Sequence, residues 1–371
     1  MRGGTPDRVP CALAFYHVEL ERVPARGARL LDLLDVDFVS PPVSRGERAL
    51  GRAMQKVAGD TRLGTPGQLA AYARWGYRPA EPARRNPLLD VGTLDELRRF
   101  PFPDAGHAHR PGAVRRQVAR LHARGLAAGG NLPHLGGELF ETATRLRGLQ
   151  NFLLDLVERP AWADTLLDRL AAMGCRNART LAEADVDILV LDDDVGMPGR
   201  MIISPELWQR FLKPRMAAII AAARAVKPKL GVLYHSDGCI EPIVGDLVEI
   251  GVNALNPLQP EHMDAARIRQ AHGNRLALWG GIGAQTTFGS ATPEHIRDEV
   301  RRRIEQLGRA GFVACPSYDV DTPDVPWPNI AAFLEAVRDY GSPRAGPPRC
   351  GPTALDIGRA ERESLARRDA A

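Results

Sequence analysis

Leu230-Gly231-Val232-Leu233-Tyr234-His235-Ser236-Asp237-Gly238 is an apolar run that ends in an imidazole and a carboxylate two residues apart. It is short enough to read as a strand buried on both faces, and helical period resumes at Ile240. Side chains alternate along an extended chain, so His235 and Asp237 point to one side. The C-terminal tip of a strand is where α/β enzymes gather catalytic groups. There the pair can hold a metal, share a proton or fix a loop.

Outward from this run the same pattern repeats. Short apolar or β-rich runs at 9–15, 36–39, 128–135, 188–191, 230–234, 253–255, 276–279 and 312–315 predict eight strands. From the fourth strand on, segments of helical period follow at 205–226, 240–250, 263–272, 293–310 and 329–340. Ser204-Pro205-Glu206 and Thr292-Pro293-Glu294 supply a capping hydroxyl, a first-turn proline and an acidic residue. Regular alternation of this kind predicts an α/β fold, a single (β/α)8 TIM barrel over residues 1–341. The Gly-, Pro- and Arg-rich stretch 40–124 reads as an elaborated connection between strands 2 and 3, with one or two helices and a lid over the mouth. Residues 342–371 read as a flexible C-terminal tail.

Composition narrows the function. A chain of 371 residues, 44% hydrophobic, can bury a large core. No apolar run approaches the roughly 20 residues that span a bilayer, and the N-terminus has no apolar signal core. A cytoplasmic protein with no membrane partner is expected. The net charge is only +4, and just four of the 49 basic residues are lysine, which reads as compositional bias. With no nucleic-acid-binding motif in sight, the expected partner is a small molecule. The five cysteines are widely spaced without a Cys-x-x-Cys pair, so they are expected as reduced thiols. Cys11 and Cys175 read as packing residues.

Four groups of reactive side chains fall at strand ends: His235 with Asp237, Asp192-Asp193-Asp194, His134 with Glu138, and Cys315-Pro316-Ser317-Tyr318. Each has a structural reading, such as capping a helix or bonding loop amides. Their convergence on one end of a barrel favours chemistry. Zinc or another divalent metal takes imidazole, thiolate and carboxylate, so His235, Asp237 and Cys315 are candidate ligands, with Glu138 a fourth. Asp193, Asp194 and Tyr318 are candidate catalytic residues. His134, Tyr16 at the end of the first strand, and Gly281 in a glycine-lined loop are candidate substrate contacts.

Together, Gly137-Glu138-Leu139-Phe140-Glu141 with Leu146-Arg147-Gly148, Asp192-Asp193-Asp194-Val195-Gly196 with Ile203-Ser204-Pro205-Glu206, His235-Ser236-Asp237-Gly238, Gly280-Gly281-Ile282 and Pro316-Ser317-Tyr318 with Pro328-Asn329-Ile330 resemble the uroporphyrinogen decarboxylase superfamily. That superfamily also includes cobalamin-dependent thiol methyltransferases. The resemblance implies a (β/α)8 barrel with its site at the strand C-termini, often a homodimer. It also implies that a corrinoid protein is a possible partner. In the thiol methyltransferases zinc is held by a His-x-Cys motif and a later cysteine; His235 matches, and Asp237 stands at the first cysteine's place. The decarboxylases' arginine-rich N-terminal signature has no counterpart in Phe15-Tyr16-His17-Val18-Glu19-Leu20-Glu21-Arg22, which argues against uroporphyrinogen as substrate.

The leading expectation is metal-assisted methyl or alkyl transfer, or a related lyase reaction, on a small polar substrate. The alternative is a metal-free decarboxylase or lyase with Asp193 or Asp237 as general acid. The third is a non-catalytic ligand-binding barrel.

Overall fold

The computed structural model describes residues 9–14, 38–40, 54–58, 86–102, 111–123, 127–131, 134–318 and 325–342. Its strands are β1 (Ala12–Ala14), β2 (Phe38–Ser40), β3 (Met54–Ala58), β4 (Ala127–Asn131), β5 (Ile188–Asp192), β6 (Gly196–Met197), β7 (Arg200–Met201), β8 (Gly231–His235), β9 (Ala254–Leu258), β10 (Ala277–Ile282) and β11 (Phe312–Pro316). The helices are α1 (Leu94–Arg99), α2 (Pro111–His122), α3 (Phe140–Arg147), α4 (Leu149–Glu158), α5 (Pro160–Glu183), α6 (Pro205–Phe211), α7 (Lys213–Arg224), α8 (Val244–Glu249), α9 (Ala265–His272), α10 (Pro293–Leu307) and α11 (Trp327–Gly341).

Seven strands form one sheet in the order β11–β10–β9–β8–β5–β4–β3, and every pairing in it is parallel. β1 and β2 pair in parallel separately, Cys11 bridges to Ala314 beside β11, and β2 lies against β3. The sheet is curled. Val190, Leu233, Ala254, Ala277, Trp279 and Cys315, drawn from five strands, make one inner apolar cluster. Their alternating neighbours Leu189, Leu191, Val232, Tyr234, Leu255, Leu278 and Phe312 face outward into the larger core beneath the helices.

All eight expected strands are present, but three expectations need correction. The connection between strands 2 and 3 contains a strand of its own, β3, paired with β4. Met54-Gln55-Lys56-Val57-Ala58 is too short and too polar to stand out by hydropathy. The third expected strand stops at Asn131, and 135–139 bend away from it. The expected helix 205–226 divides at Leu212 because Pro214 has no N–H to donate, and it sits instead in the first turn of α7. Both expected caps form: Ser204 Oγ accepts from Leu207 N at 3.2 Å and Thr292 Oγ1 from His295 N at 3.3 Å. The expected lid falls mostly, and the expected tail beyond Ser342 wholly, outside the described residues.

Arg147, from the Leu146-Arg147-Gly148 motif, closes a buried knot at the end of α3. Its Nε donates to Asp155 Oδ2 at 2.7 Å. Its Nη1 donates to the carbonyls of Leu88, Leu89 and Val91 at 2.7, 2.8 and 3.0 Å. The guanidinium also lies 4.3 Å from the centroid of the Trp162 ring. Arg147 thus ties the 88–91 segment to α4 and α5.

Candidate active site

Register builds the site. Asp192 pairs with His235 across β5 and β8, and His235 with Asn256 across β8 and β9. Each stands two residues past an inner apolar residue (Val190, Leu233, Ala254), so all three side chains face inward just above that cluster. Asp194, two residues further on, joins them. Ligand atoms of Asp192, Asp194 and His235 lie within 4.8 Å of one another, and His235 Nε2 is 4.0 Å from Asp194 Oδ1. His235 Nδ1 meets Asn256 Oδ1 at 2.7 Å. An amide oxygen only accepts, so Nδ1 carries the hydrogen and Nε2 is presented to a ligand. Burial pulls the His235 pKa down, but Asp192, Asp237 and Asp194 outweigh it and raise it to about 9.

The middle aspartate turns the other way. Asp193 is fully buried, and its Oδ2 and Oδ1 accept from the amides of Phe140 and Glu141 at 2.9 and 3.0 Å. It therefore anchors the N-terminus of α3, where the helix dipole favours a carboxylate. Burial raises its pKa to about 7 against those two hydrogen bonds. Gly137 is required beside it, because a Cβ there would stand 2.5 Å from Asp193 Oδ1 and 2.6 Å from Asp192 O.

Glu138 is buried behind the triple aspartate, its Oε2 accepting from Asp192 N at 2.5 Å while Oε1 has no hydrogen-bond partner. Burial, then Asp192, hold its pKa well above the usual carboxylate range. Glu141 Oε2 accepts from Asp194 N at 3.3 Å, and its Oε1 from Arg145 Nη2 at 3.2 Å. Burial, then Asp194, Asp192 and Asp193, push Glu141 to about 8. His134 Nε2 meets Asn131 Oδ1 at 2.9 Å in the same buried layer. Asp237 donates its amide to Asp194 Oδ1 at 2.7 Å, and its own Oδ1 accepts from Gln259 Nε2 at 3.1 Å.

The set brought together differs from the ligand set expected. His235 is common to both, while Asp192 and Asp194 stand where Asp237, Cys315 and Glu138 were expected. Glu138 and Asp237 have oxygens engaged by Asp192 N and Gln259, and Cys315 lies in the apolar inner cluster. Tyr318 is 47% exposed at the rim. A Cβ on Gly281 would meet the Phe312 ring at 3.1 Å and Leu307 at 3.6 Å, so this glycine makes room for core packing. Tyr16 lies outside the described residues. Glu141, Asn256 and Gln259 were not foreseen as site residues; only Glu141 had a signal, its place in the 137–141 motif.

An inward ring of carboxylates and imidazole at the C-terminal ends of a curled parallel sheet defines a site of the α/β-enzyme type. The uroporphyrinogen decarboxylase (URO-D) family model matches residues 82–340, and the chain belongs to that family. A uroporphyrinogen decarboxylase of Methylococcus capsulatus is 26% identical over 267 residues, covering 70% of this chain and 72% of that one. One of Pseudomonas syringae pv. tomato is 25% identical, covering 68% and 70%. Among solved structures, a methyltransferase from Methanosarcina mazei superposes with a TM-score of 0.51 at 19% identity, covering 69% of this chain and 70% of that one. This last likeness is one of fold. Among the described residues no helix is long and apolar enough to cross a membrane.

Proposed function

We propose that this chain is a URO-D-family enzyme in which Asp192, Asp194 and His235 hold a divalent cation for methyl or alkyl transfer, or a related lyase reaction, on a small polar substrate. One observation carries the reading: three ligand atoms within 4.8 Å, with the histidine's other nitrogen fixed by Asn256. Two carboxylates and one imidazole suit zinc or a harder divalent ion, whereas a sulfur-rich zinc site does not fit, since Cys315 lies in an apolar layer. A bound cation would supply Lewis acidity to a substrate oxygen or sulfur. Asn256 orients His235, and Glu138 holds the backbone at Asp192. Asp193, through the α3 amides, fixes the stretch from which Asp192 and Asp194 project. We take the curled sheet to be the wall of a closed barrel of the expected (β/α)8 type, which β1 and β2 complete through Cys11 and β3, with β3 as a strand additional to the eight expected. In the methyl-transfer version a corrinoid protein would be the methyl carrier.

The test is cation binding by the purified, untagged protein, measured by elemental analysis and by titration with Zn²⁺ and Mn²⁺. Stoichiometric binding is expected, weakened about 100-fold or more in Asp194→Asn and His235→Ala. Absence of binding, or unchanged affinity in both variants, defeats the reading. A second reading, metal-free decarboxylation or lyase chemistry, is favoured by Glu141, which keeps its proton to about pH 8 beside Asp194. It expects activity that survives a chelator and is lost in Glu141→Gln.

A further inference from the structure

Gln259 follows β9 directly and is 3% exposed. Its Oε1 accepts from Gly238 N at 2.5 Å, and its Nε2 donates to Asp237 Oδ1 and to Ser317 O, both at 3.1 Å. This fixes the amide's orientation. Turned over, it would set an oxygen against two acceptors and its NH₂ against a donor. One side chain thus joins the ends of β8, β9 and β11. Ser317 extends the tie: its N donates to Ile282 O at 2.8 Å, and its Oγ accepts from Ala284 N at 3.1 Å.

The backbone carrying Asp237 is equally confined. A Cβ on Gly196 would stand 2.3 Å from Asp237 O, and one on Gly238 2.4 Å from Met197 N. Gly238 also has φ +80°, a conformation that favours glycine. The hairpin of β6 and β7 therefore presses on 237–239 from one side while Gln259 holds it from the other. Alternation alone would send His235 and Asp237 to the same side as joint ligands. What intervenes is the Gln259 amide on Asp237 Oδ1.

We infer that Gln259 is a positioning residue that holds the Asp237 carboxylate out of the cation set, leaving Asp192, Asp194 and His235 as the protein ligands and the remaining coordination positions to substrate. The inference rests on the cation reading of the site. On it, the carboxylate of Ser236-Asp237-Gly238 is restrained and not recruited.

Co²⁺ is the probe, added to the full-length protein and followed by its visible absorption and by calorimetric titration. Gln259→Leu releases Asp237, so Co²⁺ is expected to bind about tenfold tighter, with weaker visible bands as the coordination number rises. Gln259→Glu, which keeps the shape but offers no donor, behaves the same way. Adding Asp237→Asn to Gln259→Leu restores the wild-type spectrum and affinity. Asp237→Asn alone leaves the spectrum unchanged and shifts the affinity less than about threefold, through the lost charge near His235, and this arm stands even if the Gln259 variants fail to fold. The assignment is overturned if folded Gln259→Leu matches wild type, or if Asp237→Asn alone weakens Co²⁺ tenfold. Failure of the wild type to bind Co²⁺ overturns the cation reading and this inference together.

Discussion

The two ends of α3 bury charge in opposite ways. At its C-terminal end Arg147, 5% exposed, meets Asp155, 2% exposed, and its Nη1 donates to three carbonyls. Arg159 Nη1 stands 3.5 Å from the other Asp155 oxygen, so the carboxylate there is fully matched by cations. At its N-terminal end Glu138, Glu141, Asp192, Asp193, Asp194 and Asp237 crowd around His235, with Arg145 the cation facing Glu141. Those carboxylates outnumber the described cations, and burial pushes several of them toward their protonated forms. Buried charge alone is therefore no mark of function, since the Arg147 knot is pure architecture. Imbalance that a substrate or cation must settle is the better mark.

The largest effect is expected from unbalancing the C-terminal end of α3. Arg147→Leu leaves Asp155 and three carbonyls without their main donor, and is expected to cost roughly 3–5 kcal/mol in chemical denaturation. Arg147→Met with Asp155→Leu removes both charges and should recover much of that loss. If the single variant were as stable as wild type, the knot would not anchor the 88–91 segment. Neither variant is expected to change cation affinity, because the knot touches none of the three ligands.

At the other end the effect is pH-dependent, and smaller for any one group over one pH unit. Asp193 at about 7 and Glu141 at about 8 keep protons in the native chain that the unfolded chain loses near pH 4. Their contribution to stability is complete below the unfolded value and falls as pH rises toward 7 and 8. His235 at about 9 acts with the same sign: above about 6.5 the unfolded chain gives up this proton while the native chain holds it, so its contribution falls as pH rises toward 9. The chelator-treated protein should therefore melt at progressively lower temperature from pH 5.5 to 8. Each group contributes up to about 1.4 kcal/mol per pH unit within its window. A flat or rising profile would contradict the surplus of negative charge, and added cation should flatten the slope.

The balanced and unbalanced ends were not equally legible in the chain. Strands showed as apolar runs, and the caps at Ser204 and Thr292 showed because local hydrogen bonding needs only local residues. His235 showed because it ends such a run. Asp192-Asp193-Asp194 showed as a group, but its division into two inward carboxylates and one helix anchor depends on register with β8 and on α3. Asn256 and Gln259 showed nothing, being ordinary amides whose value comes from the strand beside them. β3 was hidden by its polarity, and the Arg147 knot by a partner segment that begins at Leu88, 59 residues earlier in the sequence.

Cys315 is where a small effect carries information. The sequence offers it as a thiolate ligand, but the curled sheet sets it among Val190, Leu233, Ala254, Ala277 and Trp279, with Asp192 and His235 one inward step beyond Val190 and Leu233. A thiol packed among these apolar side chains belongs to the lining of the sheet interior. Cys315→Ala should accordingly cost only about 1 kcal/mol, the expense of a small cavity, and leave Zn²⁺ affinity unchanged. A tenfold loss of Zn²⁺ affinity would place sulfur in the coordination sphere. An unchanged value would mean that the mouth binds through oxygen and nitrogen alone, the donor set that the surplus of carboxylate at this end of α3 provides.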